Sequence, residues 1–287
     1  MRRIARTIAI VLAAGFTVLA FEWVTLPDVR RLRTENPENT AFMRLRDRQA
    51  RARGDEPRRV QRWVPYTRIS QTLKRAVLVA EDDAFWQHEG VDMAALQRAV
   101  EVNLEKREFA LGASTITQQL AKNLYLSPSK NPIRKLRELW IARRLEIELP
   151  KARILELYLN SIEWGDGIYG AEAAAREYFG KSASALGPDE AALLAGSIIN
   201  PRVYSPARPN ARLRARQRII RGRMGYYEPP PALPAVAAAP SDDPDGDRDD
   251  RPASLPTAAP AVPATLPGAP VKLGPPPPPK KPGGGGQ

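Results

Sequence analysis

The chain has 287 residues, no cysteine, and 44 Lys and Arg against 32 Asp and Glu, a formal net charge of +12. That length holds one domain of ordinary size with residues to spare, and the lack of cysteine excludes a disulfide framework or a thiolate metal site. The positive excess favours polyanionic partners, whether nucleic acid, anionic lipid or a phosphorylated substrate, and composition does not choose among them.

Arg2, Arg3 and Arg6 precede an apolar stretch, 8–21, which Trp23, Val24 and Leu26 extend past Glu22. A bilayer span takes about 20 mostly apolar residues, so 4–26 is predicted to cross a membrane with Glu22 at the outer interface beside Trp23. The basic flank places the N-terminus in the cytoplasm and the body outside. The competing reading is a cleaved signal peptide, for which Val18, Leu19 and Ala20 make a poor small-residue cleavage site. Residues 28–62, rich in Arg and polar groups, read as a partly helical juxtamembrane connector suited to anionic headgroups.

From 63 onward the pattern is helical nearly throughout, with no run of alternating strands, and predicts a mostly α domain ending near 226. Pro150 and Pro188 are expected at first helical positions, and Asn210 as the cap of an Arg-rich helix. From 227 Pro and Ala dominate, which predicts a disordered tail acting as a spacer, with a polyproline-type ligand as the alternative.

Three stretches carry chemistry. In the first, a helix over about 70–80 ends in an all-apolar turn, after which Glu81, Asp82 and Asp83 stand where a helix C-terminus disfavours acids. Burial and the helix field should raise the pKa of such a carboxylate, and a broken local rule at a buried place points to function. Phe85, His88 and Gly90 follow; His88 is the sole histidine, so no second one exists to build a zinc site with it. In the second stretch, Thr115 and Gln118 fit a capping box after Gly112 and Ser114. Thr115, Gln118, Gln119 and Lys122 share one helical face, before Asn123, with Ile116, Leu120 and Leu124 opposite. In the third, Arg134, Lys135 and Glu138 sit on a helix whose Ile141 and Leu145 continue the Glu138 face, so that carboxylate is expected to point inward. Two further matches are set aside. The glycines at 165, 167 and 170 fit a dinucleotide fingerprint but are expected after a helix, not a strand. Ser127 and Lys130 fit Ser-x-x-Lys, but no Lys-Thr-Gly follows.

Together these stretches resemble the five-motif signature of peptidoglycan glycosyltransferases, which include the glycosyltransferase domains of bifunctional penicillin-binding proteins and the monofunctional transglycosylases. Glu81, Asp82, Phe85, His88 and Gly90 meet the first motif, residues 112–123 the second, and Arg134, Lys135 and Glu138 the third. Lys151, Ile154, Leu155, Glu156, Tyr158, Leu159 and Asn160 meet the fourth. Gly170, Glu172, Ala174, Tyr178, Phe179 and Glu190 look like the last, and Ile199 departs from the family where a proline often precedes Asn-Pro. With no transpeptidase domain following, the chain looks like the monofunctional type.

The resemblance implies a lysozyme-like helical lobe (63–226) with a small membrane-proximal jaw lobe, residues 103–112 forming a mobile cleft edge with Glu105, Lys106, Arg107 and Glu108, and a transmembrane anchor (1–27). It implies an inner-membrane protein with a periplasmic catalytic domain, polymerising glycan strands from lipid II and a lipid-linked strand with inversion and release of undecaprenyl pyrophosphate. Glu81 would be the base and Glu138 the second acid. Lys122, Arg134 and Lys135 would hold pyrophosphate. Ser114, Thr115, Gln118, Gln119 and Asn123 would line the donor site, with Asp82, Phe85, His88, Lys151 and Tyr158 as further substrate-site residues. No cofactor is obligatory and no protein metal site is expected; Mg²⁺ or Mn²⁺ is compatible with the pyrophosphate. Cell-wall synthesis or division proteins are compatible partners, nucleic acid is not. A lytic hydrolase and a non-enzymatic membrane-tethered adaptor are the alternatives; the first has no need of the cationic row and the second none of the two acids.

Overall fold

The structure is a computed structural model that describes residues 2–106, 112–129 and 131–227. The expected tail from 228 and most of the expected mobile edge, 107–111, lie outside the described residues. The described chain is mostly helical: α1 (Arg2–Val24), α2 (Ala41–Ala52), α3 (Gln71–Glu81), α4 (Met93–Lys106), α5 (Ile116–Tyr125), α6 (Pro132–Glu148), α7 (Lys151–Ser161), α8 (Ala171–Phe179), α9 (Pro188–Ser197) and α10 (Ala211–Met224). Polar caps set several starts by satisfying amides that the first turn leaves unpaired. Ser70 Oγ accepts from Leu73 N at 3.0 Å, Asn131 Oδ1 from Ile133 N at 2.9 Å, and Asn210 Oδ1 from Leu213 N at 2.9 Å. Pro188 opens α9 as expected, whereas Pro150 falls one position earlier, as the N-cap of α7.

α5 packs against α6 and α7, while α9 lies on α3 and α10. Their shared interior includes Leu78, Ile116, Leu120, Ile141, Leu155 and Trp164, all fully buried. The chain leaving α1 enters this core at once, for Leu26, Val29 and Leu32 belong to it.

Beside the mostly helical pattern expected, three short strands form a sheet in the order β1–β3–β2: β1 (Val60–Gln61), β2 (Glu163–Gly165) and β3 (Ile168–Tyr169). β1 pairs parallel to β3, and β2 pairs antiparallel to it. Strands of two or three residues are too short for alternation to show, and so the sequence pattern misses them. The dinucleotide-like glycines therefore lie on a strand–turn–strand hairpin before α8, and not after a helix as expected; this is still not the strand–turn–helix a dinucleotide needs. Their spacing has a packing cause. At Gly167, with φ +71°, a Cβ would stand 2.4 Å from the Arg58 carbonyl oxygen; at Gly170, with φ +85°, 2.8 Å from that of Asn160.

The fourth motif is largely architectural. Asn160 accepts from Val64 N at 3.0 Å and donates to Val64 O at 2.9 Å, extending the pairing of β1 with a side-chain amide. Glu156 accepts from Tyr66 N at 3.0 Å. Lys151 Nζ lies 2.8 Å from Glu146 Oε1 and over the Phe85 ring, and Thr117 donates to the same carboxylate oxygen at 2.5 Å. These bonds join α7, α6 and α5.

Two predictions follow from the backbone and from buried titratable groups. Gly170→Ala is expected to cost about 1–3 kcal/mol of stability. Gly222→Ala, in open space on α10, should add about 0.5–1 kcal/mol; thermal melting distinguishes the two signs. Burial pushes Tyr66 and Tyr178 up to about 12 and pulls Lys74 down to about 8. The folded chain favours neutral phenols, so their contribution is whole below about pH 10 and is lost as pH rises toward 12. Lys74 acts oppositely, since the unfolded chain holds its proton to about pH 10.4 and the folded chain releases it earlier. Denaturant midpoints should climb from about pH 8 to 10 and fall above it, and Lys74→Met should flatten the climb.

Candidate active site

Asp82 fixes the first wall. It is the C-cap of α3 and is buried. Its carboxylate accepts from Ile116 N at 2.8 Å, the first amide of α5, where the helix end favours a negative charge. His88 Nδ1 accepts from Gly90 N at 3.1 Å, so Nε2 carries the proton and donates to Asp82 at 3.0 Å. Gly90 O in turn accepts from Thr115 Oγ1 at 2.7 Å and from Gln118 Nε2 at 3.2 Å. The loop 82–90 is thus fastened to the start of α5 from both ends. Phe85, fully buried, stacks edge-on to Trp86 beneath it. Thr115 caps α5 by accepting from Gln118 N at 3.2 Å. The reciprocal half of the expected capping box is not made, because the Gln118 amide reaches Gly90 and Lys135 instead.

Glu81, the last residue of α3, stands beside this clamp with its side chain 13 % exposed. Gln119 Nε2 donates to Glu81 Oε2 at 3.0 Å, and Tyr158 OH donates to Gln119 Oε1 at 2.8 Å. Burial first, then Glu81 and Asp82, hold the Tyr158 phenol well above its ordinary value, so it remains a donor. Asn123 Nδ2 donates back to Gln119 O at 2.9 Å.

Glu138 is buried on α6 and accepts from Arg134 at 2.5 Å and from Lys135. The Lys135 ammonium also lies 3.0 Å from Gln118 Oε1 and 3.3 Å from Ser114 Oγ. Lys122 follows on α5 and is half-buried. Burial pulls its ammonium below the ordinary value; Glu138 and Glu81 pull it back up, while Lys135 and Arg134 push it down. One side chain therefore feels both carboxylates and both other cations.

Of the expected site residues, the structure gathers Glu81, Gln119, Lys122, Ser114, Gln118, Arg134, Lys135 and Glu138 around one region. Asp82, Phe85, Thr115 and Tyr158 are buried behind it, and His88 and Lys151 brace the same scaffold. The sequence reading missed Arg216. Its guanidinium, on α10, lies 3.7 Å from Glu81 Oε1 and donates from Nε to Gly196 O at 3.2 Å. A signal existed, because Arg216 sits on the stripe of Leu213, Ile220 and Met224, all buried. Among the described residues no group of three or more His, Asp or Glu is placed to hold a metal ion.

A family model described as Transglycosylase matches residues 48–225. The chain is 49 % identical over 232 residues to a protein of Azoarcus sp. (strain BH72) called biosynthetic peptidoglycan transglycosylase, covering 80 % of this chain and all of that one. A protein of the same description from Aromatoleum aromaticum is 51 % identical over 68 % of this chain and 84 % of its own length. Another from Chromobacterium violaceum is 46 % identical over 80 % of this chain and all of its own length. By this family match and these relatives, the chain belongs to the transglycosylase family.

Proposed function

We propose that the chain polymerises peptidoglycan glycan strands, transferring a lipid-linked growing strand onto the sugar 4-hydroxyl of lipid II. Glu81 takes the hydroxyl proton as that oxygen bonds to the donor's anomeric carbon. The bond from this carbon to the lipid pyrophosphate breaks, and the pyrophosphate leaves with the electron pair. The configuration at carbon inverts.

What carries this proposal is Lys122, a half-buried cation in the field of both Glu81 and Glu138. Among the described residues no ion-pair partner reaches it, whereas Arg134 and Lys135 are already tied to Glu138. It is the cation best kept for a phosphate, acting as a point charge. Glu138 orients its two cations toward the same phosphate. Gln119, held by Tyr158, aims the Glu81 carboxylate. A divalent cation, where one takes part, would enter with the pyrophosphate, since both Glu138 oxygens already accept from cations.

The proposal includes α1 as a single-pass anchor with its N-terminus cytoplasmic and the catalytic part periplasmic. α1 is long and apolar enough to span a bilayer. The proposal also includes a lysozyme-like lobe and a jaw against the membrane. Met93, Leu96, Val100 and Leu104 form an exposed apolar stripe on α4, which supports a face turned to lipid. Domain limits of 1–27, 28–62, 63–226 and 227–287 go with this scheme, as do the other cell-wall synthesis or division proteins as partners.

Sizing the product from full-length protein and lipid-linked disaccharide tests the activity: long glycan strands support synthesis, and shortened polymer supports lysis. Glu81→Gln is expected to lower the rate by about 10²–10⁴-fold with an unchanged melting temperature; wild-type turnover in that variant would remove Glu81 from the base role. Lys122→Met is expected to cost about 10²–10³-fold in kcat, measured in the same assay.

A further inference from the structure

The C-terminal turn of α1 ends in an arrangement that its own sequence does not explain. A helix end leaves carbonyls unpaired and carries partial negative charge, and an acid there is unfavourable. Glu22 nevertheless occupies that turn. The compensation comes from α6. Arg137 Nη1 donates to the Glu22 carboxylate at 2.5 Å, to the Glu22 carbonyl at 3.2 Å and to Thr25 Oγ1 at 2.9 Å, and its other Nη donates to the Thr25 carbonyl. One guanidinium therefore caps the helix and neutralises its acid together. Beside it, Trp23 meets Trp140 edge to face at 5.7 Å, and the Arg144 guanidinium lies 5.3 Å from the Trp23 ring centroid. Arg137, Trp140 and Arg144 follow helical spacing along one stripe of α6. Arg134 and Glu138 belong to the neighbouring stripe.

We propose that Arg137 is a positioning residue: by fastening the end of α1 to α6, it holds the helix bearing Arg134, Lys135 and Glu138 at the bilayer surface, where a lipid-borne phosphate arrives. This rests on the activity and the anchor proposed above. A planar fork suits the task, since it reaches a carboxylate and two carbonyls together, and the single ammonium of a lysine does not.

The native chain has no cysteine, so spin labels at Val24→Cys and Ile147→Cys, both exposed, report the α1–α6 separation cleanly. The protein is placed in vesicles of phosphatidylglycerol and phosphatidylethanolamine. A narrow distance distribution is expected for the otherwise native chain, a broad one for Arg137→Ala, and an intermediate one for Arg137→Lys. In the same vesicles Arg137→Ala should lower kcat/KM for the lipid-linked disaccharide by about tenfold or more, mainly through KM. In detergent micelles, with a short-chain lipid on the substrate, the loss should shrink to within about twofold. Equal losses in both media, or unaltered turnover in vesicles, would overturn the positioning role; so would an unaltered label distance. If the native chain makes no polymer in either medium, the activity proposed above fails, and the label distances separately decide whether Arg137 fastens the anchor.

Discussion

One carboxylate, that of Asp82, ties the end of α3 to the beginning of α5. It receives the first amide of α5 on one side and the His88 imidazole on the other. A buried acid requires such partners, and a helix N-terminus supplies the cheapest ones. Because Glu81 is the adjacent residue, its direction is set by this bond, and Gln119 on the next turn of α5 meets it at 3.0 Å. The wall carrying the candidate base is therefore a consequence of where Asp82 finds its donors.

The second carboxylate solves a similar problem by other means. Glu138 has no helix end to receive it, and two cations of its own helix serve instead. Their charge compensates a buried acid and at the same time lies beside Lys122, whose ammonium burial disfavours. The site is a row of alternating signs, and the phosphate proposed above would meet preoriented donors there.

How far this was legible from the sequence depended on whether a residue broke a local rule. Glu81 broke one, standing at the wrong end of a helix, and Glu138 broke another, lying on the face of Ile141 and Leu145, so both stood out as candidates. Arg216 was concealed among the arginines of α10, although the apolar stripe it interrupts marks it as inward-facing. The sheet escaped because its strands are too short to show a period, and its glycines were explained only by the carbonyls of Arg58 and Asn160 packed against them. Glu22 was expected only at the outer interface, because its partner Arg137 is 115 positions away. Pairings over that separation leave no local trace.

The approach of Arg216 to Glu81 joins the last described helix to the third. α10 is also among the last parts of the domain to be synthesised. A chain that emerges from its N-terminus can place Asp82, α5 and α6 early, but the guanidinium next to the candidate base arrives only after some two hundred residues are already made. A growing polypeptide would thus carry an unfinished centre for most of its synthesis, completed only when α10 packs beside Glu81.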